Sequence, residues 1–201
     1  MIFVISGFLK FLFSLVAAFL LVVGGDFPYI RDIFRGRTKP HAYTWLIWTI
    51  TQGVALLGLF YGKGGWGSWA LLIGTLFVFF IFLLSLKYGT KNITKFDTVI
   101  LIVALLAVVV WFQLDNPLLA VIMVSIIDFL GYVPSFRKAF QEPWTETVIS
   151  WVMFFVANTF IIFSLAEYNP LTLTYMLTIE AANLTLIIIC LARRRVVKLN
   201  L

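Results

Sequence analysis

Apolar stretches separated by polar, glycine or proline residues fall at 2 to 26, 42 to 61, 66 to 88, 96 to 114, 117 to 133, 146 to 166 and 170 to 192. None shows the every-second-residue alternation of a barrel strand, so the pattern predicts seven helices. At about 20 apolar residues per bilayer crossing, these runs account for nearly the whole chain and leave no room for a domain outside the membrane. The first run carries Lys10 within it and lacks a basic leader and a small-residue cleavage site, so it reads as a retained span rather than a signal peptide.

Composition agrees with the pattern. Hydrophobic residues make up 62% of the 201 positions and charged residues 12%, against about 45–50% and about 25% in soluble domains. A single cysteine, Cys190, and a single histidine, His41, exclude an internal disulfide framework and a Cys/His zinc site. No cofactor is implied. The net charge of +6 first suggests an anionic partner such as nucleic acid, but its distribution assigns it to membrane orientation. Arg31, Arg35, Arg37 and Lys39 follow the first span, Lys87, Lys91 and Lys95 the third, and Arg137 and Lys138 the fifth. Arg193, Arg194, Arg195 and Lys198 follow the last span, so all but Lys10 and Lys63 of the fifteen basic residues fall on one side. By the positive-inside rule the amino terminus is outside and the carboxyl terminus cytoplasmic. The expected partners are the lipid bilayer and a small-molecule substrate, with monomer or homo-oligomer left open. The expected location is the plasma (inner) membrane of a bacterium.

Shifting the chain against itself by 106 residues superposes Gly25 on Gly131, Pro28 on Pro134, Arg31 on Arg137, Phe34 on Phe140 and Trp45 on Trp151. The same frame pairs Thr44 with Ser150, Gln52 with Asn158 and Leu59 with Leu165. The predicted architecture is therefore an all-α integral membrane protein of 3+1+3 helices. A first three-helix repeat covers 1–92, a linker span 93–116 and a second three-helix repeat 117–201. The linker returns the chain to the outer side, so the repeats are parallel, related by an axis along the membrane normal, a layout found in transporters.

The run PYIRDIFRGRTKPHAYTWLIWTITQGVALLGLFYG and its weaker echo GYVPSFRKAFQEPWTETVISWVMFFVANTFIIF resemble the PQ-loop and SWEET superfamily. In that group a proline near the cytoplasmic end of each unit's first helix precedes a basic loop. The glutamine that names the PQ-loop is replaced by Tyr29 and Ser135, so the chain resembles a divergent member. The resemblance implies transport of a sugar, amino acid or vitamin by alternating access, or ligand reception without transport, as in a sorting-receptor branch.

Polar side chains near the bilayer centre disfavour insertion and mark candidate chemistry. Gln52 and Asn158 lie roughly 15 Å along their helices from the cytoplasmic side, and Asp128 and Glu180 about as far from the outer side. These depths place all four near the midplane. Asn183, three residues after Glu180, shares its helix face and, by the resemblance, matches a substrate-binding asparagine. Gln52 and Asn158 serve either as substrate contacts or as ties between helices. Asp128 and Glu180, with no basic residue at their depth, serve as proton relay, as readers of a cationic group, or as neutral carboxyls hydrogen-bonded between helices. Their counterparts in the first repeat are Val22 and Gly74, which predicts a pocket with its polar chemistry concentrated in the second half. Trp48 is the candidate to stack on a ring-shaped substrate, whereas Trp45, Trp151, Trp66 and Trp69 read as interfacial anchors. Pro28 and Pro134 read as paired hinges at a gate, or as helix ends. Asp26 and Asp32 are expected to pair with Arg31 or Arg35 in a cytoplasmic latch. An intramembrane enzyme is disfavoured by the scarcity of His and Cys, and a retinal protein by the lack of a central lysine in the last span. The leading expectation is a small-solute transporter, the alternative a seven-helix receptor or sensor.

Overall fold

The computed structural model describes residues 6–90, 93–111, 113 and 116–198, with Lys91 and the predicted span limits at 2 and 114 outside that set. All regular structure among the described residues is helical. Helix α1 (Gly7–Phe19) runs without a break through a π-helical segment (Leu20–Asp26) into α2 (Phe27–Phe34). It is followed by α3 (Ala42–Tyr61), α4 (Trp66–Tyr88), α5 (Lys95–Trp111), α6 (Pro117–Gln141), α7 (Val148–Ser164) and α8 (Pro170–Arg194). The starts of α6 and α8 are encoded locally. The side chains of Asn116 and Asn169 accept from the first free backbone N–H groups, and Pro117 and Pro170 occupy a position where no N–H is needed.

The first and fifth predicted spans end too early. Neither proline terminates its helix: helical structure continues to Phe34 beyond Pro28 and to Gln141 beyond Pro134. At Pro28 the missing N–H falls just after the π-helical segment, in which the Phe27 N–H already reaches back to the Val22 carbonyl. The wider turn absorbs what the proline would otherwise break. Among the described residues, five helical stretches are long and apolar enough to cross a membrane: Gly7–Phe34, Ala42–Tyr61, Trp66–Tyr88, Pro117–Gln141 and Pro170–Arg194. Helix α7 is apolar but shorter, at 17 residues. Large apolar side chains lie uncovered around the bundle, among them Leu57, Leu76, Leu106, Ile126 and Ile188, each more than half exposed. Such a surface suits hydrocarbon and not water, and the chain is a helical membrane protein.

Six helical rods close into a ring. The α1–α2 rod packs on α4, α4 on α3, α3 on α6, α6 on α8, α8 on α7, and α7 back on α1 and the π segment. Helix α5 lies outside, against α3 and α6. Two of these joints depend on missing side chains. A Cβ on Gly25 would overlap the Phe154 ring of α7, and one on Gly24 would press on Met153. At the opposite joint a Cβ on Gly131 would lie 3.2 Å from both Ile47 Cγ2 and Trp48 Nε1 of α3. Glycine at these points lets two helices approach closely, which in lipid replaces the hydrophobic drive that joins helices in water. The interior fills as two clusters: one around Trp45, Trp48, Tyr132 and Trp151, the other around Leu59, Leu71, Val124 and Met176.

Replacing Gly25 by alanine is expected to destabilise the fold by about 1–3 kcal/mol through overpacking. Adding Phe154→Leu should recover part of the loss, read as denaturant unfolding in detergent.

Candidate functional site

Where the two interior clusters meet, the ring encloses a cavity of about 70 Å3. A single water needs roughly 10–15 Å3, so the space takes several waters or a small solute. Trp48, Gln52, Asn158 and Asn183, the four residues expected to contact substrate, all line it. They arrive from three helices, α3, α7 and α8, at similar depth.

The amides are oriented by their neighbours. Asn158 donates through Nδ2 to the Met176 carbonyl at 2.9 Å and to Glu180 Oε2 at 2.7 Å. Asn183 accepts through Oδ1 from the Tyr132 hydroxyl at 3.0 Å. Gln52 Oε1 lies 3.5 Å from the Thr75 hydroxyl, at the limit of a hydrogen bond. The rings form a continuous aromatic wall: Trp48 meets Tyr132 at 4.5 Å, Trp45 at 5.1 Å and Trp151 at 5.9 Å between centroids, and Trp151 meets Phe154 at 5.6 Å.

Asp128 and Glu180 lie outside the lining. Asp128 is buried where α3, α6 and α8 meet, accepting hydrogen bonds from the Thr51 hydroxyl and, at 3.1 Å, from the Tyr175 hydroxyl. Glu180 is half-buried between α7 and α8, with Oε1 accepting from Thr159 at 2.6 Å and Oε2 holding Asn158. Its reach to the cavity is thus through the Asn158 amide. Residues 180 and 183 differ by about 60° around the helix, enough to turn Asn183 inward and leave Glu180 at the seam.

Three expectations are corrected. Trp45 and Trp151 are not interfacial anchors: they are 3% and 2% exposed and wall the cavity, whereas Trp66 and Trp69 are exposed as anchors would be. The polar lining is not concentrated in the second half, since Asp26 and Gln52 line the cavity together with Asn158 and Asn183. Asp26 is not part of a latch. It is 3% exposed, lines the cavity, and makes no hydrogen bond or ion pair among the described residues; Oδ2 in particular is buried without a partner. Sequence reasoning missed it because its direction depends on the π segment. Wider turns shift all later residues relative to an α-helical wheel, by about 100° for one inserted residue. The available signal was an acid at the inner edge of an apolar run, beside two glycines that fix a close helix contact.

Asp32 alone takes the latch role. It meets Arg31 at 3.2 Å and Arg37 at 4.0 Å, and accepts from the Thr147 hydroxyl of the opposite half at 3.1 Å. Lys138 answers from the other side, donating to the Lys39 carbonyl at 3.1 Å and pairing with Glu146 at 2.9 Å. Glu146 Oε2 in turn accepts from the Trp151 indole at 3.0 Å, which ties the latch to the aromatic wall. Nearby, the buried Asp97 meets His41 at 3.2 Å and Arg137 at 3.4 Å. Burial holds the His41 imidazole below the ordinary histidine range, outweighing the adjacent Asp97 carboxylate. Arg137 is therefore the cation facing Asp97 at neutral pH. At the far end of the bundle the chain is bridged as well: the Ala166 N–H donates to the Gly64 carbonyl at 3.2 Å and Asn169 to the Gly62 carbonyl at 3.1 Å.

These features define a helical membrane protein with a small aromatic and amide-lined cavity in the middle of a ring of helices. No family model, curated protein or solved structure matches the chain.

Asp128→Ala would remove the acceptor shared by the Thr51 and Tyr175 hydroxyls, leaving Thr51 only carbonyls of its own helix, and is expected to cost about 1–3 kcal/mol. Asp128→Asn, which keeps an acceptor in place, should cost clearly less. Unfolding midpoints of the two variants in the same detergent measure the difference.

Proposed function

We propose that the protein is a membrane transporter for a small polar solute, working by alternating access between two three-helix units. In this reading seven spans cross the bilayer, with the amino terminus outside and the carboxyl terminus cytoplasmic. Residues 1–92 and 117–201 form parallel repeats, and α5 is the linker. The solute sits among Trp48, Gln52, Asn158 and Asn183, and the units rock about Pro28 and Pro134.

The observation that carries the reading is the composition of the cavity wall in the 106-residue frame. Asp26 and Tyr132, Trp45 and Trp151, Trp48 and Phe154, and Gln52 and Asn158 are equivalent pairs, and both members of every pair line the cavity. The joints of the ring repeat in the same frame. Gly25 lies against Phe154, and its equivalent Gly131 lies against Trp48, the equivalent of Phe154. Within each half the third helix packs closely on both others, while the first and second meet through aromatic rings, Tyr29 with Trp45 and Tyr132 with Trp151. A cavity on a pseudo-twofold axis, bridged at both ends by contacts between the halves, is an arrangement that alternating-access transporters use. It also fits the resemblance to the PQ-loop and SWEET superfamily. Asp128 and Glu180 act here through the walls: Asp128 joins three helices and Glu180 sets the Asn158 amide.

Reconstituted protein is expected to exchange a labelled solute across liposomes saturably when sugars, amino acids and vitamins are screened. Asn158→Ala should lower that flux at least tenfold without a matching loss of thermal stability. Saturable binding with no flux for any bound solute would replace transporter by receptor.

A further inference from the structure

Among the described residues Asp26 is the one cavity-lining side chain that carries a formal negative charge, and none of them pairs a cation with it. Of the basic residues that follow it in the chain, Arg31 and Arg37 face Asp32 and Arg35 is exposed, while across the latch Lys138 faces Glu146 and Arg137 faces Asp97. Among the described residues no lysine, arginine or histidine lines the cavity. A carboxylate buried in this way is stable only if it is neutralised by a proton or faces a cation supplied from outside. Its surroundings favour the second solution. Directly beside Asp26 the Gly25 backbone lies under the Phe154 ring, and the same cavity is walled by Trp45, Trp48 and Trp151. Trp48 and Trp151 meet edge to face, at 75° with centroids 5.9 Å apart, and both rings line the cavity. Aromatic faces attract cations within about 6 Å, most strongly where water is excluded. They suit alkylated ammonium groups, whose charge is spread over methyl and methylene surface. The amides of Gln52, Asn158 and Asn183 supply acceptors and donors for a polar tail.

We propose that the cavity binds a small organic cation, a protonated amine or quaternary ammonium group, with Asp26 as its counter-ion and the Trp48, Trp151 and Phe154 rings as its walls. This assignment rests on the reading of the cavity as the solute site and narrows the solute to a cationic class.

The test uses the full chain in nanodiscs. Tetramethylammonium and choline are titrated against the neutral choline isostere 3,3-dimethyl-1-butanol, with calorimetry and intrinsic tryptophan fluorescence as readouts. Both cations should bind saturably and the isostere at least tenfold more weakly than choline. Asp26→Asn should weaken choline at least tenfold, toward the level of the isostere, whereas Asp26→Glu should retain preference for the cation. Trp48→Leu should reduce the cation-to-isostere ratio. Absence of saturable cation binding, equal binding of choline and its isostere by the unaltered protein, or unchanged choline affinity in a folded Asp26→Asn variant would overturn the proposal. The isostere comparison needs no variant and holds if a substitution fails to fold. Flux in liposomes separates this inference from the transport reading. Cations that bind but are never carried uphold the site and remove transport. Carriage of neutral solutes with no cation binding removes the cation site and leaves transport standing.

Discussion

The molecule depends on two glycine contacts at opposite joints of its helical ring. At one, Gly25 of the π segment lies against Phe154 of α7; at the other, Gly131 of α6 lies against Trp48 of α3. In lipid, apolar side chains gain little by leaving one hydrocarbon surrounding for another, so helices hold together where backbones can approach and where polar groups pair. Each contact presses a glycine backbone onto an aromatic ring, and each ring in turn lines the central cavity. Closing the ring and shaping the cavity are thus one event. A side chain at either glycine would push the halves apart where the wall is built.

The polar groups in the bundle divide according to what satisfies them. Asp128 has the Thr51 and Tyr175 hydroxyls, Glu180 has Asn158 and Thr159, and Asp97 has His41, Arg137 and the Thr94 N–H. These groups are paid for by hydrogen bonds and give the helices their register. Asp26 has no such partner, and it is also the acid that reaches the cavity. Proteins rarely leave a buried polar atom unpaired without a reason. The contrast among four acids in one bundle separates the carboxyl available to a solute from those that hold the walls.

Depth along each helix was legible from the sequence, and direction around it was not. Counting from the loop boundaries put Gln52 and Asn158 near the midplane, and the structure turns both into one cavity with Trp48 and Asn183. The same counting put Asp128 and Glu180 at that height too, yet they face seams between helices. These helices are apolar nearly all round, so no polar stripe indicates which face is inward. That is also why Trp45 and Trp151 read as interfacial anchors: an aromatic residue near a helix end suits the headgroup region or the interior equally well by sequence. Asp26 was hidden for a different reason, since a π segment cannot be read from hydrophobic period and it redirects every residue after it. The helix limits at Pro28 and Pro134 failed because proline is a weaker stop inside a membrane bundle than in water.

In the transport cycle proposed above, the two halves joined at the glycine contacts would open the cavity at one end while closing it at the other. Pulsed electron resonance can read this in nanodiscs on a Cys190→Ser background. One spin-label pair sits at residues 35 and 142 across the latch, and a second at residues 63 and 167 across the far end, all four positions exposed. Two distance populations are expected at each end, shifting in opposite senses when a bound solute is added. A single unchanging distance at both ends, with solute bound, would contradict it.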